Sequence, residues 1–318
     1  MAKADLAAVL ALLAALFIAI SDAVQQRLAH DVTDDERVGA IALFTRLLRN
    51  PRWWLGSLIA AIGFALQAAA LGLGSVVLVQ ALFVTSLLFA LPISAMLGHR
   101  KVTPSQWAWA VLLAASVAVF VTVGDPQAGH SRAPLGTWLV VVAVIGPALV
   151  LCLLGARIWS GPVRAVLLGL VSGSLWGLFS VLTKGVVDRL GYGTWAVART
   201  PELYALVLVG IAATVWQQAS FQAGTLTASL PTLTVAEPAV GSVLGIVVLG
   251  ESLQTHDVGM FALALAVIAM ATATAALARD AAVPTERPKA APDFASTTTR
   301  TVPPPAPPYP LVKDTMAS

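Results

Sequence analysis

Residues 78–107, LVQALFVTSLLFALPISAMLGHRKVTPSQW, are echoed by residues 230–259, LPTLTVAEPAVGSVLGIVVLGESLQTHDVG. In both stretches a long apolar run ends at a glycine, and a short polar turn leads into the next apolar run. At one constant offset Gly98 matches Gly250 and Thr103 matches Thr255. The chain therefore carries one membrane-helix pattern twice. If an odd number of spans separates the copies, the second copy is inverted, as in alternating-access transporters.

Two further matches extend this repeat towards the N-terminus of each copy. Gly72 and Gly224 have the same offset as the pairs above, and an Arg-Asn-Pro sequence ending at Pro51 resembles an Arg-Thr-Pro sequence ending at Pro201. Each proline precedes a hydrophobic run, and proline is common in the first turn of a helix. We expect a helix to begin at both prolines.

The composition excludes a soluble domain. Hydrophobic residues make up 58% of the chain and charged residues 11%, and the mean hydropathy is +0.84, so the chain belongs in a bilayer. The net charge is +3, but the basic residues flank apolar runs instead of forming one stripe, so we expect no nucleic-acid partner. Cys152 is the one cysteine, which excludes an intramolecular disulfide and a cysteine-based metal cage.

We predict an all-α polytopic membrane protein with about nine transmembrane helices, each near the length that crosses the hydrocarbon core. The predicted spans are residues 6–28, 53–73, 76–97, 107–123, 135–154, 163–187, 203–221, 226–249 and 258–277. In a 4+1+4 arrangement, residues 1–124 form the first four-helix repeat, 125–160 a linker with the inverting fifth helix, and 161–279 the second repeat. Residues 31–50 are too charged to cross and form a loop with at most an interfacial helix.

The two ends of the chain need separate interpretations. The first apolar run follows Lys3, and Ala19-Ile20-Ser21 resembles a signal-peptide cleavage site, but the run is long enough to span, so we expect a retained helix. Residues 280–318 are rich in proline and threonine and are predicted to be a disordered cytoplasmic tail. Such a tail is either a ligand for a proline-binding domain or a spacer. Most of the 19 Lys and Arg residues lie on the side of the C-terminus, which predicts an outside N-terminus in the cell membrane.

Glu237 is the leading candidate for a functional residue, because it lies in the middle of the eighth predicted span. A carboxylate at that depth faces a cavity or a partner, and burial raises its pKa towards the range that proton coupling requires. The adjacent Pro238 frees the backbone carbonyl of Thr234, which could line the same cavity. The alternative is a protonated structural glutamate bonded between helices.

Two further charged residues are candidates with open alternatives. Asp22, in the first span, either contributes to the site or pairs with Arg27 at the interface. Lys184, near the outer end of the sixth span, is expected to be a snorkelling interface residue, although a loose repeat alignment with Gln26 keeps it a candidate.

Amide and indole side chains complete the candidate substrate- or ion-binding set. Amides at matching depths suit a polar cavity between repeats, and interhelical hydrogen bonds are the alternative. Trp176 is expected either to stack on an aromatic or cationic solute or to pack. The amides are Gln67, Gln80, Gln217 and Gln218, with Gln222 nearby.

Small residues recur on two of the predicted helices. Gly169, Gly173 and Gly177 form successive GxxxG steps in the sixth span, and Gly241 and Gly245 form one in the eighth, a pattern typical of close helix packing. The chain has no Walker loop, HExxH or GxSxG motif. We therefore predict a protein that is not an enzyme, with no cofactor and no bound structural metal.

The spans resemble a known superfamily. The turn at residues 71–74, LGLG, and the helix end at 97–101, LGHRK, are similar to those of the drug/metabolite transporter superfamily, and the four-helix units resemble small multidrug resistance proteins. The segments LLRNPRWWLGSLIAAIGFALQAAAL (47–71), VLVQALFVTSLLFALPISAML (77–97) and SGSLWGLFSVLTKG (172–185) resemble its NIPA-like and EamA-like branch. This resemblance covers about residues 6–279 and implies a 4+1+4 fold.

The chain also departs from these families. Small multidrug resistance proteins carry a membrane glutamate midway along their first helix, where this chain has residues near Ala19 and Trp176, so Asp22 is the acid that could substitute. NIPA-like proteins tend to have a proline early in the third helix, where Ala81 stands here. These departures leave the substrate open.

We expect a secondary transporter that exports a small organic metabolite or drug by alternating access, with protons as a candidate coupling ion. The resemblance to NIPA-like proteins implies the first alternative, transport of Mg²⁺ or another divalent cation. The second alternative is a non-transporting membrane scaffold or receptor. A homodimer remains an open possibility.

Overall fold

The computed structural model describes residues 2–33, 51–97, 102–223, 226–255 and 257–282. These residues belong to one compact unit, Met1–Val283. The side chains of Asp22 and Gln222 lie outside the described part. Residues 34–50 of the loop predicted at 31–50 also lie outside the described part, as does the predicted tail beyond Ala282. Residues 31–33 of that predicted loop instead continue the first helix, Ala2–Thr33.

Helices make up nearly all of the described residues, with two short strands between them. The helices are α1 (Ala2–Thr33), α2 (Pro51–Leu73), α3 (Val76–Phe83), α4 (Ser86–Leu97), α5 (Pro104–Gly124), α6 (Leu135–Ile158), α7 (Pro162–Leu190), α8 (Thr194–Ala198), α9 (Pro201–Ala223), α10 (Leu226–Leu249) and α11 (Asp257–Ala282). The strands are β1 (Pro126–Gln127) and β2 (Ser252–Leu253). Within the described residues, nine segments are long and apolar enough to cross a membrane. The prediction of a helical, polytopic membrane protein is confirmed.

The predicted helix starts at Pro51 and Pro201 are confirmed, because α2 and α9 begin at these residues. Another helix start has a hydrogen-bonded cap. Thr103 accepts a hydrogen bond from the Gln106 N–H through its hydroxyl, and the Gln106 side chain accepts one from the Thr103 N–H, which forms a capping box before α5.

The third predicted span, residues 76–97, is confirmed as a segment long and apolar enough to cross a membrane, over Val76–Ile93, but it is not one continuous helix. It is broken at Val84 and Thr85 into α3 and α4. The Thr85 N–H donates to the Leu82 carbonyl at 3.0 Å, and the Thr85 hydroxyl donates to the same carbonyl at 2.6 Å. These bonds make a tight three-residue turn, because a threonine hydroxyl competes with the helical hydrogen-bond pattern.

Glycines bring α7 into backbone contact with α10. A Cβ on Gly173 would lie 2.7 Å from the Ala236 Cβ, and a Cβ on Gly177 would lie 2.7 Å from the Gly241 nitrogen and 2.8 Å from the Glu237 carbonyl oxygen. Only glycine permits this approach. The predicted small-residue faces of the sixth and eighth spans are therefore confirmed as a packing surface.

The loops at one end of the bundle interlock. β1 pairs with β2 in antiparallel register, with Gln127 opposite Ser252. The His130 N–H donates to the Leu249 carbonyl at 2.7 Å, so the segment between α5 and α6 lies against the C-terminal end of α10. The turn between α2 and α3 reaches the same place, because the Ser75 hydroxyl donates to the Pro126 carbonyl.

Candidate functional site

A buried ion pair lies at this interlocked end. Lys184, near the end of α7, donates from Nζ to Glu251 Oε1 at 2.7 Å. The two residues are 5% and 3% exposed. The prediction that Lys184 is a snorkelling interface residue is therefore wrong: its ammonium group is held inside the protein by a carboxylate and does not reach for solvent.

The N-terminus of α3 completes the surroundings of this pair. The backbone N–H groups of Val76 and Val77 donate to Glu251 Oε1 and Oε2 at 2.7 and 3.0 Å. A helix N-terminus presents unpaired N–H groups and a positive dipole end, so it stabilises a carboxylate there. Lys184 donates a second hydrogen bond to the Gly74 carbonyl at 2.9 Å.

Glycines allow Glu251 to reach this position. Gly250 has a φ of +65°, which turns the chain directly after α10. A Cβ on Gly245 would lie 2.7 Å from Glu251 Oε2, so the last turn of α10 leaves room for the carboxylate. The matching of Gly250 to Gly98 in the repeat identified this turn but did not identify the acid that follows it.

A second ion pair lies beside the first. Arg132, between β1 and α6, donates from Nε to Glu202 Oε1 at 2.9 Å, and its Nη2 contacts the same oxygen. Glu202 is in the first turn of α9. A Cβ on Gly185 would be within 4 Å of both side chains, so this pair packs on the residue that follows Lys184.

The predicted carboxylate Glu237 is half-buried in α10, whose interior also contains Pro231 and Pro238. Its backbone forms part of the contact with the glycine face of α7. The Thr234 hydroxyl donates to the Leu230 carbonyl at 2.9 Å. The structure does not describe the side chain of Asp22, the second predicted carboxylate.

Gln80 is the most enclosed of the predicted amides. It is 0% exposed, and neither atom of its amide has a hydrogen-bond partner among the described residues. A Cβ on Gly241 would lie 2.6 Å from Gln80 Nε2. The amide is therefore pressed against α10 one turn beyond Glu237.

The other predicted amides lie in different environments. Gln217 is half-buried and accepts a hydrogen bond from the Trp176 indole N–H at 3.1 Å. Gln67 is buried in α2, and Gln218 is on the exposed side of α9. The matching sequence positions of Gln67 and Gln217 thus do not give them the same surroundings.

Trp176 belongs to an aromatic cluster. It stacks on Phe64 of α2 with ring centroids 5.9 Å apart, and its ring meets Phe179 edge-on at 5.2 Å. A groove of about 540 Å³ lies between α7 and α9 beside this cluster, and Ile211 and Val215 contribute to its apolar lining. Trp176 thus packs against other aromatic side chains, which is the second of the two roles expected for it.

A metal site would need several convergent ligands. Within the described ranges, no group of three or more His, Cys, Asp and Glu side chains could hold a metal ion. The Glu251 oxygens, which the sequence reasoning did not consider, are already paired with Lys184 and the α3 backbone.

A comparison with known proteins finds a similar chain. The chain is 36% identical over 284 residues to an uncharacterized protein of Corynebacterium glutamicum, and the match covers 88% of this chain and 96% of that protein. No family model matches the chain, and no solved structure matches it.

Proposed function

The chain belongs to the same family as the corynebacterial protein, and we propose that it is a secondary transporter that moves a small organic metabolite or drug by alternating access. The observation that carries this proposal is the buried Lys184–Glu251 pair. It joins the start of α3 to α7 and to the end of α10 at one end of the bundle. We call this pair and its bonds to residues 74–77 the latch.

Alternating access requires contacts that close one end and can be exchanged for contacts at the other. A buried ion pair suits this task better than apolar packing, because the desolvation cost of two charges offsets much of their attraction. Water that enters an opening end can solvate both groups and repay that cost. Arg132 and Glu202 add a second, more exposed pair beside the latch.

The helix contacts agree with an inverted 4+1+4 repeat. α1 packs against α2 and α4, and α7 packs against α9 and α10, so the first helix of each proposed repeat holds the second and third. Between the repeats, α5 packs against α11 and α3 against α10. With α6 as the inverting helix, this pattern supports membership of the drug/metabolite transporter superfamily.

Glu237 is the proposed coupling or substrate-binding carboxylate. It lies on α10, the helix that contacts both α3 and α7, so a change in its protonation acts where the two repeats meet. The proposed direction is export across the cell membrane with the N-terminus outside, and protons are the proposed coupling ion. Pro231 and Pro238, which lie before and after Glu237 in α10, interrupt the helical hydrogen bonds there, and such an interruption suits a binding site near the membrane midplane.

Transport of a divalent cation remains the second candidate. Mg²⁺ keeps most of its waters and is bound through one or two carboxylates. Glu237 and Asp22 are the two carboxylates proposed to bind it, whereas Glu251 forms an ion pair with Lys184. A scaffold or receptor that recruits partners through residues 280–318 is the third candidate, and it predicts that Glu237→Gln is tolerated.

The proposal is tested by ligand titration of the purified protein. Tryptophan fluorescence and proton release are recorded while a panel of cationic and aromatic compounds, and separately Mg²⁺, is added to wild type and to Glu237→Gln. We expect a saturable response to an organic compound, with proton release, that is lost in Glu237→Gln. Asp5→Asn, which removes an exposed carboxylate at the start of α1, is the control and should respond like wild type.

Other outcomes of this titration separate the candidates. A Mg²⁺ response that depends on Glu237 favours the cation transporter. An organic-ligand response that is equal in wild type and Glu237→Gln contradicts the role of Glu237.

A further inference from the structure

Gln80 presents an energetic problem in this state of the protein. A buried amide that lacks hydrogen bonds has lost its water without replacement, which is unfavourable. Gln80 is 0% exposed, and among the described residues both Nε2 and Oε1 are unpaired. Its neighbours on α3, Val79 and Ala81, are buried and apolar.

The surroundings of Gln80 lie where three helices meet. Gly241 of α10 contacts the Gln80 amide on one side and Gly177 of α7 on another. Gly241 follows Glu237 by four residues, so both lie on the same face of α10. The amide is thus aimed into the contact between α3, from the first proposed repeat, and α10, from the second.

We propose that the Gln80 amide is a solute-binding group. In this state it has no hydrogen-bond partner among the described residues, and it becomes available to the solute when α3 separates from α10. The inference rests on the proposed function, because alternating access supplies the separation. An amide offers a donor beside an acceptor. The solute that fits it is a small polar molecule with an acceptor beside a donor, such as a carboxamide or a carboxylic acid.

The unpaired state of the amide has a measurable consequence. Gln80→Leu removes two unpaired polar atoms and keeps most of the side-chain volume, so it should raise the Tm of the purified protein by about 2–4 °C. Gln106→Leu is the matched control, because Gln106 is also buried but its side chain is paired with Thr103. Gln106→Leu should lower the Tm.

A lower Tm for Gln80→Leu would overturn the proposal, since it would mean that the Gln80 amide is already satisfied. A second measurement tests access to Gln80 directly.

Access is measured as the rate at which a hydrophilic methanethiosulfonate modifies single thiols in membranes. Gln80→Cys, Val79→Cys and Ser75→Cys are each placed in a Cys152→Ala background, with the latch intact or broken by Lys184→Met, which leaves Glu251 uncompensated unless water enters and solvates it. We expect loss of Lys184 to speed modification of Gln80→Cys and Ser75→Cys by about tenfold or more, because opening of this end exposes them. Val79→Cys, equally buried on another face of α3, should stay slow.

The pattern of rates separates the two proposals. If Ser75→Cys becomes reactive and Gln80→Cys does not, the end of the bundle opens without exposing Gln80, and the inference about Gln80 is overturned while the transporter stands. If none of the three thiols responds, the opening itself is contradicted, and both proposals fall.

Discussion

The Lys184–Glu251 pair illustrates how a charge is kept inside a membrane protein. Glu251 accepts hydrogen bonds from one ammonium and two backbone N–H groups, and Lys184 also donates to the Gly74 carbonyl. Each charged group is therefore surrounded by complementary partners. Breaking such a pair leaves one buried charge uncompensated, whereas replacing both partners together removes the problem.

This contrast gives a prediction for the stability of the latch. Lys184→Met should lower the free energy of unfolding by about 3–5 kcal/mol, because Glu251 is left buried without its counter-charge. The double variant Lys184→Met with Glu251→Leu should regain most of that loss. Denaturant or thermal unfolding of the purified protein measures both.

Arg132→Met is the control for the latch variants. Arg132 is more exposed than Lys184, and a partly exposed ion pair contributes little, so a smaller loss is expected. A Lys184→Met protein as stable as wild type would show that the buried pair is not formed.

At the scale of elements, the contact between α7 and α10 depends on glycine. Gly177→Ala places a Cβ within 2.8 Å of two α10 backbone atoms, and overpacking of this kind costs about 1–3 kcal/mol. The matched control is Gly136→Ala in α6, where a Cβ meets nothing within 4 Å, and where alanine's helix propensity should slightly stabilise the protein. The free energy of unfolding should thus fall in Gly177→Ala and rise slightly in Gly136→Ala. Equal changes in the two variants would contradict the close contact between α7 and α10.

The elements were largely predictable from the sequence because they depend on local patterns. Pro51 and Pro201 mark helix starts, and the GxxxG steps mark a packing face, since both effects act within one helix. The break at Thr85 was not predictable, because threonine is common within apolar helices and its hydroxyl has several possible acceptors.

Glu251 was missed for a different reason. In the sequence it follows the end of a span and resembles an ordinary flanking charge. Its importance depends on Lys184 and on the start of α3, which lie far from it along the chain and meet it only after the helices pack. One feature of the sequence could have indicated the pair. Lys184 and the loop that contains Glu251 are predicted on the same side of the membrane.

At the scale of the whole molecule, the two ends of the proposed repeat are chemically different. At the offset that relates Gly250 to Gly98, Glu251 corresponds to His99, and Lys184 aligns loosely with Gln26. At these repeat-related positions, the sequence therefore supplies a carboxylate and an ammonium in the second copy only. We expect the latch end to be the more firmly closed of the two.

The latch end can be followed separately from the other end by distances between spin labels. One pair of labels is placed near the latch, at Leu73 and at Tyr192, which follows the end of α7. The second pair is placed at Met96, near the end of α4, and at Val163, at the start of α7 and so at its opposite end from Lys184. All four side chains are exposed. The Cys152→Ala background avoids labelling of the natural cysteine.

The most direct test of alternating access is the double electron–electron resonance spectrum of these two pairs, with the latch intact and with the latch broken by Lys184→Met, which leaves Glu251 uncompensated in the closed end. The account predicts that loss of the latch lengthens the Leu73–Tyr192 distance and shortens the Met96–Val163 distance. Distances that do not change at either end, or that lengthen at both, would contradict it.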